Sequence, residues 1–194
     1  MDKENYLNML AGQTKRSVAL STYLSMTVTE MSFRKNDIIH LNMHFNMVHK
    51  MIASGAVRLY TRDEQTTMES TLLLVFDNEF LPDLFEESKI LCHFIENTTL
   101  IGFEAKHLPI LFKIFPEMLT IHKRQNTAQL LRLYSRISHF ISLDATARYQ
   151  ELEIHNKSAI KRISLKYLSN FLGIDMTTLG RIRLKLNKRR HLSP

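Results

Sequence analysis

Basic side chains are concentrated at the carboxyl end of the chain. Residues 161–194 contain nine lysines and arginines and one acidic residue, a net charge of +8, whereas the whole chain carries +7. Such a charge attracts the phosphate backbone of nucleic acids. Within this segment, the planar guanidinium of Arg181 can bond both acceptors on the major-groove edge of guanine. We therefore expect Arg181 to contact a base, with phosphate contact as the alternative.

Two short helices are predicted to position these basic residues. Apolar residues recur at helical spacing in two groups, Leu165, Leu168 and Leu172, then Leu179, Ile182 and Leu186. Ser164 and Asp175 can cap the two helices, and Gly173 can adopt the left-handed conformation that ends the first one. The small Ser169 lets the helices cross closely. This pattern predicts a DNA-binding helix-turn-helix, with a merely structural basic hairpin as the alternative.

The candidate DNA contacts follow from this arrangement. The residues predicted to point away from the apolar stripe of the second helix, about 177–188, include Asp175, Met176, Thr177, Gly180 and Arg181. Met176 and Thr177 could touch a thymine methyl group. Backbone phosphate is the expected partner of Ser164, Thr178, Lys166, Arg183, Lys185 and Arg162.

The segment Ser164 to Leu186 resembles the DNA-binding helices of the Crp/Fnr family of bacterial transcription regulators. Thr178-Leu179-Gly180-Arg181-Ile182 is similar to the core of that family's recognition helix, and Asp144 to Leu152 resembles the helix that precedes it. The resemblance implies a homodimer that binds double-stranded DNA and regulates transcription, with RNA polymerase as a further candidate partner. Relatives commonly add a β-hairpin wing after the recognition helix, and here we expect it to be short or absent.

Short apolar runs separated by turn-like segments indicate several strands between about residues 33 and 104. Within them, Ser54 to Tyr60 resembles a strand of the family's cyclic-nucleotide-binding-like sensor domain. We therefore predict an α+β protein, with an antiparallel β-roll flanked by helices. The expected divisions are a sensor domain (1–115), a dimerisation helix and hinge (116–141) and a helix-turn-helix domain (142–194).

The phosphate-binding cassette of that sensor domain departs from the family pattern. Relatives that hold a cyclic nucleotide use a Gly-Glu-Leu turn and an Arg-Ser/Thr-Ala segment, whereas this chain has Leu81-Pro82-Asp83-Leu84 and then Glu86-Glu87-Ser88-Lys89-Ile90. Pro82 lacks an amide donor, and the glutamates would repel phosphate. The sequence argues against cyclic AMP and leaves haem or another effector open.

A long helix is predicted over about residues 116–140, because Pro116 suits a first turn and no proline or glycine follows before Gly173. The family resemblance implies that this helix pairs two subunits. The residues predicted to contact the partner are Met118, Ile121, Gln125, Ala128 and Leu131, with a helix buried in its own domain as the alternative. A second apolar stripe comprises Leu130, Leu133, Tyr134, Ile137 and Ile141.

Composition excludes several other classes of protein. The single cysteine, Cys92, excludes an internal disulfide framework and a four-cysteine iron–sulfur cluster. The sequence contains neither an apolar run long enough to span a membrane nor a signal peptide, so we expect a cytoplasmic protein without a membrane partner. It also lacks the phosphate-loop and serine-elbow motifs of common enzyme classes and paired carboxylates that could form an acid–base site, so we expect no enzyme.

A few residues leave weaker alternatives open. His40, His44 and His49 could bind a metal, and one of them, or Met43, Met47 or Met51, could ligate haem, although core packing is the usual role of such methionines. Cys92 and His93 could form a redox sensor. The rival functions are a protein- or RNA-interaction module with a basic helical tail, and a regulator that binds an unusual nucleotide or another small ligand.

Overall fold

A computed structural model of the chain describes residues 3–41, 46–83 and 89–192, without the side chains of residues 159 and 189–192. The helices are α1 (Lys3–Ala11), α2 (Val18–Thr27), α3 (Leu108–Ile114), α4 (Pro116–Ser142), α5 (Ala145–Ile160), α6 (Leu165–Leu172) and α7 (Met176–Leu192). The strands are β1 (Val28–Phe33), β2 (Ile38–His40), β3 (Met47–Ser54), β4 (Ala56–Arg62), β5 (Glu69–Phe76), β6 (Leu91–Phe94) and β7 (Thr98–Glu104). Among these helices, none is long and apolar enough to cross a bilayer.

Two antiparallel sheets form a roll. One has the strand order β1-β7-β3 and the other the order β2-β6-β4-β5. Apolar side chains of both sheets fill the space between them, including Ile52, Val57, Val75, Phe94 and Leu100. This arrangement confirms the predicted α+β class and the antiparallel roll.

The roll begins five residues earlier than the predicted start at residue 33. Strand β1 pairs with β7 from Val28, which lies opposite Phe103, to Phe33, which lies opposite Thr98. Val28 is the one residue of β1 that is fully buried. Strand β1 therefore lacks the apolar run that predicts the other strands. Its start is determined by pairing with β7 and not by its own sequence pattern.

The amino-terminal half of α4 packs against its own domain. Met118 and Ile121 are fully buried in a core with residues of α1, α2 and the three-stranded sheet. Gln125 is 7% exposed and donates a hydrogen bond of 2.9 Å from Nε2 to the Leu10 carbonyl. The prediction that these three residues contact a partner subunit is therefore wrong, because α1 already covers this face of the helix.

The carboxyl-terminal half of α4 has a different apolar face. Leu130, Tyr134, Ile137 and Ile141 are 60–81% exposed and form one stripe. Of the remaining predicted dimer contacts, Leu131 flanks this stripe and is also exposed. Ala128 is exposed, but at 100° per residue it lies about 160° around the helix from Leu130.

A pair of histidines, one of them buried, joins α4 to the roll. His49 of β3 is 2% exposed, and its Nε2 lies 3.0 Å from Nδ1 of His122. Its backbone N–H donates to Asp83, whose other oxygen accepts from Lys50 at 2.7 Å. Burial is the largest influence on His49 and, together with the His122 and Lys50 charges, outweighs Asp83, so that its pKa is lowered to about 4. At neutral pH His49 is therefore an uncharged link between sheet and helix.

This shifted pKa predicts a loss of stability in acid. Because the unfolded histidine titrates near 6.5, the unfolded chain takes up the proton first as pH falls, and stability decreases between about pH 6.5 and pH 4. From pH 7 to pH 5 this group should lower the free energy of unfolding by about 2 kcal/mol. Urea denaturation at pH 7 and pH 5 measures this change. The free energy of unfolding should decrease less in His49→Gln than in the parent, whereas a variant of the exposed His40, His40→Gln, should match the parent. An equal decrease in His49→Gln and the parent would show that His49 is not the group responsible.

Candidate nucleic-acid interface

The last two helices form a helix-turn-helix, held by the caps that the sequence predicts. Ser164 Oγ accepts the Tyr167 N–H at 3.3 Å, and Gly173 ends α6 with a φ of +67°. A Cβ at Gly173 would lie 2.5 Å from the Phe140 ring, so space as well as backbone conformation requires glycine there. Asp175 caps α7 by accepting the Thr178 N–H at 2.8 Å.

A small core holds the two helices together. Both helices contribute buried leucines, and α5 adds Tyr149 and Ile160. Ser169 is 5% exposed, as expected for a residue at a close helix crossing. The buried residues of the two helices are Leu168, Ser169, Leu172, Leu179, Ile182 and Leu186.

The opposite face of α7 is open to solvent and basic. Met176 and Leu184 are 55% and 64% exposed, and Thr177, Arg181 and Lys185 are also exposed. Since α7 is 17 residues long, it can lie along a major groove and present this face to base edges. Helix α7 continues to Leu192, so the described residues contain no wing after it.

Gly180 also lies on this face, at a position where a larger side chain would fit. A Cβ at this position would meet no heavy atom within 4 Å. Glycine inside a helix costs about 1 kcal/mol relative to alanine. Packing within the described residues therefore gives no reason for glycine at this position.

Two predicted contacts are already engaged by each other. The Thr178 hydroxyl donates to Asp175 Oδ2 at 2.7 Å, and this hydrogen bond holds the pKa of Asp175 below its usual range. Asp175 is therefore a charged helix cap rather than a base contact, and the Thr178 hydroxyl proton is not available to phosphate. Ser164, Lys166 and Lys185 remain exposed, and Arg183 is half-buried.

Arg162 has a different role from the predicted phosphate contact. Its guanidinium binds Asp77 and Glu96, which belong to loops of the roll, and the Nε to Glu96 Oε1 distance is 3.0 Å. These bonds raise the pKa of Arg162 further above its already high usual range. Two carboxylates neutralise the charge of Arg162, so it is not available to phosphate. These ion pairs instead attach the start of the helix-turn-helix to the roll.

Further polar contacts dock α6 on strand β5. The Asn170 amide donates to the Glu69 carbonyl at 2.6 Å and accepts from the Thr71 N–H at 2.7 Å. Arg58, which is 1% exposed, lies between the rings of Tyr60 and Tyr167 at 4.2 and 4.6 Å. The helix-turn-helix is thus held on the four-stranded sheet in part by polar side chains that pair with specific partners.

Comparison with known proteins identifies the fold. No protein-family model and no curated protein sequence matches the chain. A protein from Eubacterium rectale described as a transcriptional regulator of the Crp/Fnr family has a TM-score of 0.68 and 15% identity, over 95% of this chain and 88% of that one. FixK2 from Bradyrhizobium japonicum has a TM-score of 0.67 and 16% identity, over 84% and 85%. TTHA1359, a Crp/Fnr-family regulator from Thermus thermophilus, has a TM-score of 0.63 and 16% identity, over 83% and 87%.

The chain has the Crp/Fnr fold. The similarity extends over both the roll and the helix-turn-helix, because each comparison covers more than four fifths of the chain. The resemblance expected from the helix-turn-helix residues is therefore confirmed at the level of the fold.

Those of the weaker site candidates that the structure describes do not form a site. The described residues include no group of three metal-ligating side chains, while His44 and Met43 lie outside them. Met47 and Met51 are buried core residues. Cys92 is fully buried, and burial raises the pKa of its thiol far above the usual range, so it is protonated at neutral pH. His93 packs edge-on against Tyr167 at the sheet–helix contact.

Sequence reasoning missed the residues that join the two halves of the Crp/Fnr fold. Asn170 and Tyr167 were assigned no role, and Arg136 of α4, which donates to the Phe171 carbonyl at 2.8 Å, was not singled out. One signal was present. Arg58 interrupts the apolar run Ala56 to Tyr60, and an arginine at such a position needs a buried partner.

Proposed function

We propose that the chain is a dimeric, sequence-specific DNA-binding regulator of transcription. The observation that carries this proposal is the exposed basic face of α7, on a helix-turn-helix whose opposite face is fully packed. The similar structures from Eubacterium rectale and Thermus thermophilus are described as transcriptional regulators, which supports the same role here. A binding protein of this kind needs no catalytic residues, so the proposal is not of an enzyme.

Arg181 is the proposed base-reading residue. It is exposed, and Glu and Asp side chains are absent from α7. Its guanidinium is therefore free of carboxylates on its own helix and can bind guanine O6 and N7 together. Thr177 and Met176 lie one turn earlier on the helix, where they can contact a thymine methyl. Backbone phosphate is the proposed partner of Ser164, Lys166, Arg183 and Lys185.

Substitution of Arg181 should therefore distinguish sequence-specific binding from non-specific electrostatic binding to DNA. A site selected from a random duplex pool would first be identified with the parent protein. Arg181→Ala should then weaken binding to that site by about 1–3 kcal/mol and weaken binding to random DNA much less. Fluorescence anisotropy at several salt concentrations measures both affinities.

The matched control is Arg34→Ala, which removes an exposed arginine from the turn between β1 and β2. It should leave preference for the selected site unchanged. Equal losses on selected and random DNA for Arg181→Ala would reassign Arg181 to phosphate. If no sequence is enriched by the parent, the rival protein- or RNA-interaction module would be favoured.

The proposed dimer contact is the exposed stripe of α4. Leu130, Tyr134, Ile137 and Ile141 are separated by four, three and four residues, the spacing of a heptad seam. An apolar seam of this period is covered by another helix of the same period. A second copy of this chain supplies one through two-fold symmetry, which would also place two α7 helices for grooves about 34 Å apart.

Tyr134→Glu should therefore break the dimer, because it places two like charges against each other in an apolar seam. Sedimentation equilibrium should show at least about a tenfold weaker association, and binding to the selected DNA site should weaken as well. Ala128→Glu puts the same charge on the far side of α4 and should leave the dimer intact. Unchanged association of Tyr134→Glu would contradict this interface.

The proposed regulator does not depend on cyclic AMP bound in the usual way. In the part of the cassette that the structure describes, Pro82 has no N–H to offer a phosphate, and Asp83 is bound to Lys50 and to the His49 backbone. These residues hold the cassette end to β3. They do not provide the donors that a cyclic phosphate needs.

A further inference from the structure

A cavity of about 330 Å³ lies where the roll, the long helix and the DNA-binding unit meet. Its walls come from β5, the carboxyl-terminal half of α4, α5 and the end of α6. We call it the junction cavity. Its volume lies within the range of about 300–1,000 Å³ that is usual for small-molecule sites.

Three arginines line the junction cavity, and two of them have no carboxylate partner in the part of the chain that the structure describes. Arg132 is paired with Glu79 at 2.9 Å. Within the described residues, by contrast, Arg136 and Arg148 form no ion pair and donate to backbone carbonyls, including the Phe171 and Leu172 oxygens at 2.8 and 3.1 Å. Two positive charges therefore share one cavity without an opposing charge of their own.

One buried donor of these two arginines lacks a partner. Arg148 Nε is buried and has no hydrogen-bond partner among the described residues. Burial and the charge of Arg148 lower the pKa of Arg136 to about 10. A partly buried guanidinium without a counter-ion is unfavourable, and an oxyanion would relieve both the charge and the missing hydrogen bond.

The rest of the lining is suited to an apolar group. The Phe171 ring lies 3.8 Å from the Arg136 guanidinium, and the Phe140 ring lies 4.6 Å from that of Arg148. Leu74 and Leu152 also line the space. The other acidic side chain in the wall, Glu151, is 43% exposed and lies 3.7 Å from His155, so its charge is at the solvent side.

We propose that the junction cavity binds a small organic oxyanion, a phosphate or carboxylate attached to an apolar or aromatic body, through Arg136 and Arg148. The anionic group binds the two guanidiniums, and the body packs between the phenylalanines and leucines. Since the walls belong to both the roll and the DNA-binding unit, an occupied cavity favours the arrangement of the two parts that this structure has. That last step rests on the proposed regulatory function, whereas the binding site itself does not.

Calorimetric titration of the full chain without DNA tests the binding site directly. Phenyl phosphate and benzoate combine an oxyanion with a ring, phenol has only the ring, and inorganic phosphate has only the anion. We expect saturable binding of phenyl phosphate or benzoate at concentrations on the order of 1 mM or below, at least about tenfold weaker binding of inorganic phosphate, and no binding of phenol. The stronger of the first two identifies phosphate or carboxylate as the preferred group.

Variants locate the binding at the cavity. Arg148→Gln removes one charge and should weaken phenyl phosphate and benzoate at least about tenfold, whereas Arg34→Gln, which removes an exposed charge on the roll, should bind like the parent. Arg136→Lys, which keeps the charge but loses the planar fork, should give an intermediate loss. Circular dichroism establishes that each variant is folded.

Three results would overturn the proposal: no saturable binding by the parent, equal binding of phenol, or equal losses in Arg148→Gln and Arg34→Gln. The titration of the parent decides the matter even if Arg148→Gln does not fold. Coupling to DNA binding is measured separately, as the affinity for the selected DNA site with and without ligand. We expect the ligand to change that affinity. A ligand that binds without changing DNA affinity would leave the site intact and refute only the regulatory step.

Discussion

Helix α4 has two apolar faces, and the arrangement of the molecule depends on how each of them is covered. Its first half closes the core of the roll, where Met118 and Ile121 are fully buried. Its second half leaves that core, so that Tyr134 and Ile141 face solvent. Burying such a surface contributes about 25 cal/mol per Å². In the proposed dimer a second copy of the helix would supply that burial, and because α5 to α7 continue from the end of α4, the same pairing would set the separation of the two α7 helices.

The attachment of the helix-turn-helix to the roll combines apolar and polar contacts. Buried apolar side chains of β4 and β5 share one cluster with leucines of α6 and α7. Asn170, Arg162 and the Arg58–Tyr167 stack each pair with a defined partner on the four-stranded sheet. Contacts of this kind are specific in geometry, and Arg58 is shielded from water, since it is only 1% exposed. The junction cavity lies at the same boundary, where a bound anion would add contacts to both sides.

Local chemistry made the carboxyl-terminal unit predictable. Ser164, Gly173 and Asp175 have the cap roles expected of their residue types. The buried stripes are those that the spacing indicates, except that Leu165 is 43% exposed. Long-range contacts were not predictable. The sequence does not reveal that α1 covers Gln125, nor that the loops of the roll bring two carboxylates to Arg162. Both residues were therefore assigned to partners outside the chain, and the face of α4 that stays exposed could be distinguished only in three dimensions.

In the proposed regulator, the exposed face of α7 is shaped for close approach to DNA rather than for the stability of the helix. Gly180→Ala tests it with two readouts, because a Cβ at this position has open space within the chain. Denaturation should show a free energy of unfolding higher by up to about 1 kcal/mol. Anisotropy on the selected site should show several-fold weaker binding, since the methyl group would stand between helix and groove. A stabilised variant that binds the site as tightly as the parent would contradict the claim.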